Sequence, residues 1–261
     1  MMMKPSLLIS RMNDIANVVK QKDGALAVLA LGSIGIEQDR LDAYSDLDFF
    51  VIVEDAYKNQ FIQNLDWLHE VYPLSYTFKN TKDGYKILFD DDIYGEFAVF
   101  GRSEVPQVVQ AQARCVWKQD HYDEPTLLIS KNLPPKDEHE PTYHLEEALT
   151  NLYVGCSRAL RGETLSGQKY IEGYALDHVL TYMRLSYPVD QHLDYFNPER
   201  RIESHYPDLK NQLHLMCSGS KKLSISAKSI LEWIIQKYHV NQKLYILLVH
   251  LIDQLSILES Q

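Results

Sequence analysis

Apolar and polar positions follow two rhythms along the chain, and the change of rhythm falls near residue 140. Leu7, Leu8, Met12, Ile15 and Val19 recur at helical spacing and predict an amphipathic helix over residues 6–21. After the turn Lys22-Asp23-Gly24, the short apolar run Ala25–Leu31 is bounded by glycine on both sides and predicts a buried strand. A second strand is predicted over Asp46–Val53, then a helix over Tyr57–Val71 with Phe61, Leu65 and Leu68 on one face. Leu74–Phe78, Tyr85–Asp90 and Ile93–Phe100 read as further strands, the last two joined by acidic turn residues as a hairpin requires. Arg114–Lys118 can add one more.

Three prolines among charged residues across Asn132–Pro141 predict a linker. Beyond it the helical period takes over, with helices expected from Thr142 to near Gly162 and over 166–186, 207–217, 224–238 and 241–258. The expected fold class is α+β: an N-terminal mixed β-sheet domain with flanking helices over 1–132, followed by a C-terminal α-helical bundle over 142–261.

Composition narrows the function classes. With 26 Lys+Arg against 36 Asp+Glu the chain carries a net charge of −10, which makes it a poor general binder of phosphate backbones. No nucleic-acid partner is expected, and a cationic or small neutral partner suits it better. Cys115, Cys156 and Cys217 are odd in number, far apart and form no CxxC pair, so neither a disulfide framework nor a thiolate zinc site is expected. A reducing, cytoplasmic setting fits this usage. The start MMMKPSLLIS lacks the pattern of a signal peptide, and no apolar run is long enough to predict a membrane span.

The candidate chemistry lies between Gly32 and Glu96. Asp46 and Asp48 flank Leu47, and the two-residue period of a strand puts both carboxylates on one face, about 6–7 Å apart. Such a pair repels itself unless a cation lies between, and Mg²⁺ takes one or two carboxylates together with substrate phosphates. Alone, the pair reads first as a turn cap followed by a solvated strand edge. Gly32-Ser33 ends the preceding apolar strand, where a close backbone turn can offer N–H groups and a hydroxyl to phosphate oxygens. Glu96 interrupts an otherwise apolar strand, which is costly unless the carboxylate is paired, metal-bound or turned to water.

The order LALGSIGIEQDRLDAYSDLDFFVIV, followed later by YGEFAVF, resembles the polymerase-β-like nucleotidyltransferase superfamily, and within it lincosamide and aminoglycoside-type antibiotic nucleotidyltransferases. The resemblance covers roughly residues 25–100. It implies a Mg²⁺-dependent transfer of a nucleoside monophosphate, AMP from ATP, to a hydroxyl of a small molecule such as a lincosamide or aminoglycoside. Asp46, Asp48 and Glu96 would be the catalytic acids and ligands of two Mg²⁺ ions. Gly32 and Ser33 would cradle the β,γ end of the triphosphate, and Glu96 would ligate the second ion or accept the hydroxyl proton. Many relatives place a basic residue directly after Gly-Ser. Here Arg40 is the first cation after Ser33, and it is expected either to fold back towards the triphosphate or to leave that role to another group. A homodimer is implied by the resemblance only.

Two segments of the helical half are candidate substrate contacts. Arg200 and Arg201 follow Asn197-Pro198, a pair that also reads as a helix N-cap with proline at N1. Tyr174, Asp177, His178 and Tyr182 fall at spacings of three and four, which suits either a pocket lining or a partly exposed packing face. Two alternatives to the small-molecule transferase stay open: a nucleotide-binding regulatory or antitoxin-like protein of the same fold, and a protein-modifying adenylyltransferase.

Overall fold

A computed structural model describes residues 5–108, 113–122, 139–189, 197 and 199–261. Most of the expected linker, together with Asp194–Phe196 and Pro198, lies outside the described residues. Contacts divide the chain into two compact units, Met1–Pro135 and Lys136–Gln261. The class is α+β, with strands in the first unit and helices alone in the described part of the second.

The first unit opens with helix α1 (Pro5–Val19), whose Leu8, Met12, Ile15 and Val19 are fully buried. Strands β1 (Ala25–Ala30) and β2 (Leu47–Val53) pair antiparallel. The chain then passes through helices α2 (Lys58–Gln63) and α3 (Asp66–His69) and strands β3 (Leu74–Phe78) and β4 (Gly84–Phe89). Strand β5 (Tyr94–Gly101) lies parallel to β2, and β6 (Arg114–Lys118) closes the sheet against β1. The strand order is β3-β4-β5-β2-β1-β6.

The helix expected over Tyr57–Val71 is two short helices. Asn64 adopts an extended backbone, and its side-chain oxygen accepts the Asp66 N–H at 2.8 Å. That local bond replaces a helical one, which is how Asn interrupts helices. The break turns Trp67 so that its indole N–H donates to the Phe61 carbonyl at 3.1 Å.

Alternation along the strands separates two faces of the sheet. One face carries Leu47, Phe49, Val51, Ile87, Phe89, Phe97 and Val99 and packs with α1, Phe61 and Trp67 in the main core. The other face carries Asp48, Phe50, Ile52, Glu96, Ala98 and Phe100. On that second face a smaller cluster of Leu26, Leu29, Leu31, Ile52, Val105, Ala113 and Tyr122 covers the β1–β6 side.

The second unit is built on α4 (Pro141–Leu160), which presents Leu145, Ala148, Leu149, Leu152 and Cys156 to its core. The helix expected at 166–186 starts two residues earlier. It runs as α5 (Thr164–Gln168), a π-helical stretch Lys169–Ala175, and α6 (Leu176–Ser186). Next come α7 (Ile202–His205), a 3₁₀ turn Pro207–Leu209, α8 (Lys210–Met216), α9 (Leu223–Ile235) and α10 (Gln242–Glu259). Asn241 caps α10 through its side-chain oxygen, which accepts from Lys243 N and Leu244 N. No helix of the described residues is long and apolar enough to cross a membrane, and the three cysteines are free thiols.

The start at Asn197-Pro198 does not hold for α7. Arg201 stands just before Ile202 at φ +63°, a left-handed conformation through which a right-handed helix cannot run.

Candidate functional site

The Gly-Ser turn follows from local backbone chemistry. Leu31 N donates to Asp48 O at 2.8 Å, extending the β1–β2 ladder by one rung and setting the turn beside Asp48. Gly32 then takes φ +53°, a conformation glycine adopts without steric cost. Gly35 N donates back to Leu31 O and to Gly32 O, which curls residues 32–34 into one 3₁₀ turn. Ile34 anchors this turn in the main core.

An unforeseen residue holds the turn from outside. Arg114, in β6, donates to the carbonyls of Ile34 and Gly35 at 2.8–3.2 Å. Those carbonyl oxygens are thereby satisfied by Arg114. The sequence offered only a weak cue, a cation at each end of a short apolar strand.

Gly32 faces the acids and a cation. A Cβ added there would lie 3.7 Å from Asp48 Oδ2 and 3.9 Å from Arg40 Nη2. The Arg40 guanidinium lies beside the Gly-Ser turn, carried on a 3₁₀ turn formed by Gln38–Arg40. Its guanidinium is largely buried and ion-paired to Glu37, while its Nε is buried with no hydrogen-bond partner. The remainder of the spacer is an Asx-type turn, in which Asp42 Oδ1 accepts from Tyr44 N at 2.8 Å and from the Ser45 hydroxyl at 3.2 Å. Asp46 follows this turn, partly buried, immediately before β2.

Glu96 reaches the site through strand register. Asp48 and Glu96 are direct partners across the parallel β2–β5 pair, on the same face. Neighbouring strands lie about 4.8 Å apart, so the two side chains leave the sheet as neighbours on one face. Gly95 permits that approach, because a Cβ there would sit 2.8 Å from the Leu47 carbonyl oxygen.

Two groups that sequence reasoning missed hold the Glu96 carboxylate. Asn80 Nδ2 donates to Glu96 Oε1 at 2.6 Å, and Lys86 Nζ lies 3.7 Å from Glu96 Oε2. Lys86 is the direct partner of Glu96 across β4–β5. The available signal was alternation: in a β4–β5 hairpin, Lys86 and Glu96 are the two charged residues that fall opposite each other.

Among the described residues, no three His, Cys, Asp or Glu side chains are gathered closely enough to hold a metal ion. A Mg²⁺ ion arriving with a triphosphate needs fewer protein ligands, and the hard oxygens of Asp46 and Asp48 suit it. Glu96, held by Asn80 and Lys86, does not complete that set as placed.

The candidates of the helical unit are occupied differently. Tyr174 packs edge-on against Tyr170, with the Lys169 ammonium 5.4 Å from its ring centroid. His178 Nδ1 and His144 Nδ1 are 3.1 Å apart, one donating to the other, and Glu147 lies 4.0 Å from His178 Nε2. Tyr182 packs edge-on against Trp233 and so belongs to the helical core. Arg200 is exposed in the turn before α7, while Arg201 is half-buried. With Arg184, Arg201 adds to the effect of burial in lowering the pKa of His205 below its ordinary value.

A cleft of about 240 Å³ in the first unit, lined by Lys22, Gln60, Phe61, Asn64, Asp66, Trp67 and Glu70, contains none of the candidate residues.

No protein-family model matches the chain. No curated protein matches it either. Among solved structures it is similar to an aminoglycoside 6-adenyltransferase from Bacillus subtilis, at 11% identity, 95% of each chain covered and a TM-score of 0.33. It is also similar to a STING-associated CdnE c-di-GMP synthase from Capnocytophaga granulosa, at 13% identity over 98% of this chain and 81% of that one, with a TM-score of 0.29. A nucleotidyltransferase-like protein from Exiguobacterium sibiricum shows 10% identity over 87% and 75% of the two chains, with a TM-score of 0.31. At such scores the likeness is distant.

Proposed function

We propose that the chain is a nucleotidyltransferase that moves AMP from ATP to a hydroxyl of a small molecule. The observation that supports this reading best is the convergence at one end of β2. A glycine turn, the Arg40 guanidinium and the Asp48 carboxylate meet within van der Waals reach of the Gly32 Cα substituent position, and Glu96 stands in register with Asp48.

The reaction joins an acceptor hydroxyl oxygen to the α-phosphorus, breaks the bond to the β-phosphate bridge and expels pyrophosphate. Little covalent work falls to the protein, so positioning and charge stabilisation carry the rate. Asp46 and Asp48 would hold Mg²⁺, which when bound neutralises phosphate charge and steadies the leaving oxygen. Gly32 and Ser33 would donate to the phosphate end, and Arg40 would exchange Glu37 for a phosphate oxygen. Glu96 would take the hydroxyl proton, with Asn80 fixing the rotation of its carboxylate.

One observation favours a second reading. The Glu96 carboxylate is already held by Asn80 and Lys86, as suits a regulatory protein that binds a nucleotide without turnover.

Acceptor-dependent pyrophosphate release from Mg–ATP separates the two. Release that disappears in Asp46→Asn, with the fold retained, supports the transferase. Tight ATP binding without release from any hydroxyl compound or protein acceptor selects the regulatory reading, and an active Asp46→Asn protein sinks the catalytic assignment.

A further inference from the structure

The sheet face that carries Asp48 and Glu96 continues outward as an aromatic shelf. Three rungs of pairing place four residues in one row across the sheet: Asp48 opposite Glu96, Glu96 opposite Lys86, and Lys86 opposite Phe78. The next row holds Tyr94 opposite Leu88 and Leu88 opposite Tyr76. Directly opposed residues stand on the same face, so Phe78, Tyr76 and Tyr94 share the face of the acids. All three rings are exposed: Tyr76 at 54%, Phe78 at 50% and Tyr94 at 37%.

Large rings clustered in water on a sheet face mark a binding surface, and edge strands do not ordinarily carry them unprotected. From Asp48 to Phe78 the row spans three strand spacings, about 14 Å, the length of a molecule of two or three rings. Lys86 stands between the acids and the rings. Its ion pair with Glu96 is long, and both partners are about two-fifths exposed. Such a pair is weak, so the ammonium can turn to another partner. A cation brought to Glu96 along this row meets Lys86 first and is repelled.

We propose that the β3–β4–β5 face is the acceptor subsite and that it takes a flat-ringed hydroxyl compound bearing no positive charge. The rings stack on Phe78, Tyr76 and Tyr94, Lys86 turns away cations, and the hydroxyl is presented at Glu96. The acceptor role and the hydroxyl's place at Glu96 rest on the transferase reading; ring binding stands without it.

The test uses the full chain and two probes, 4-nitrophenyl β-D-glucoside as an uncharged ring compound and 2-deoxystreptamine as a compact polycation, each titrated calorimetrically with Mg–ATP measured alongside. The glucoside is expected to bind more tightly than the aminocyclitol. The double variant Tyr76→Ala, Phe78→Ala should weaken it about tenfold or more, the scale of losing stacking partners. Affinity for Mg–ATP should stay within about twofold, since the site for the triphosphate is untouched. Phe78→Leu keeps the apolar area but not the flat face and should also weaken binding, which guards against a folding artefact. Lys86→Glu should reverse the order of the two probes. Absence of glucoside binding, equal binding by the parent and both shelf variants, or tighter binding of 2-deoxystreptamine by the parent overturns the proposal. Glucoside binding that depends on Phe78 in a chain that binds no Mg–ATP keeps the shelf and removes the transferase reading.

Discussion

Two sets of polar residues, one in each unit, are held in opposite ways. In the helical unit, Glu172 and Glu259 are bonded away within the packing. Glu172 accepts from Ser226 Oγ and Gly219 N, both at 2.7 Å, and from Gln168 Nε2 at 2.8 Å, while Ser226 is fully buried. Glu259 accepts from Ser224 N and its hydroxyl, joining the end of α10 to the start of α9. In the sheet unit, Asp48, Glu96 and Lys86 lie instead in a row at a partly open face, with the largely buried Arg40 guanidinium beside Gly32. Several of their partners are weak or incomplete, as the orphaned Arg40 Nε and the 3.7 Å Lys86–Glu96 contact show. Satisfied buried networks hold a fold rigid, whereas under-satisfied polar groups at a surface are available to a ligand.

Substitutions can break that contrast. Asp48→Asn should lower turnover by about 10³-fold or more while leaving the melting temperature in place, measured by pyrophosphate release and calorimetry. Glu172→Ala should do the reverse. It strands the buried Ser226 hydroxyl and the half-buried Gly219 N–H and should cost the helical unit about 2–4 kcal/mol in denaturant unfolding, with Mg–ATP affinity unchanged. Loss of ATP binding in Glu172→Ala at temperatures where it stays folded would show that the helical network serves the site after all.

Arg40→Ala should weaken Mg–ATP about tenfold, the worth of one charge-assisted contact less its existing pairing with Glu37. Unchanged affinity would remove Arg40 from the site. The smallest effect belongs to pH. Burial, then the charges of Arg201 and Arg184, hold the folded pKa of His205 below its ordinary 6.5. The unfolded chain therefore binds the proton more readily, and His205 favours the folded state fully above pH 6.5. That contribution is lost as the pH falls through the folded pKa. The denaturation midpoint should drop between pH 7 and 5, and drop less in His205→Asn.

Much of this contrast was legible along the chain, and the exceptions have physical causes. The strand runs around Ala25–Leu31, Asp46–Val53 and Ile93–Phe100 stand out because each is apolar, short and bounded by turn residues. The order of Gly-Ser, Asp46, Asp48 and Glu96 could be read because each breaks an apolar run. What could not be read is register. Asp48 meets Glu96 only because a crossover of some forty residues returns β5 parallel to β2, and no local pattern sets that alignment. Lys86 and Asn80 escaped for the same reason, since their importance depends on lying beside Glu96. The break at Asn64 was hidden by an apolar period that continues through Leu65 and Leu68. The π-helical stretch at Lys169–Ala175 likewise leaves no mark on a pattern read at 3.6 residues per turn.

The antiparallel hairpin of β3 and β4 has a consequence for change over generations. The acids stand on inner strands held from both sides, with Gly95 permitting no added bulk against Leu47. Tyr76 and Phe78 stand on the outermost strand, where replacement disturbs no second neighbour. On the proposed transferase reading, a lineage, or an experimenter building a library, can exchange the rim of the sheet and sample new acceptors while Asp48 and Glu96 are inherited intact.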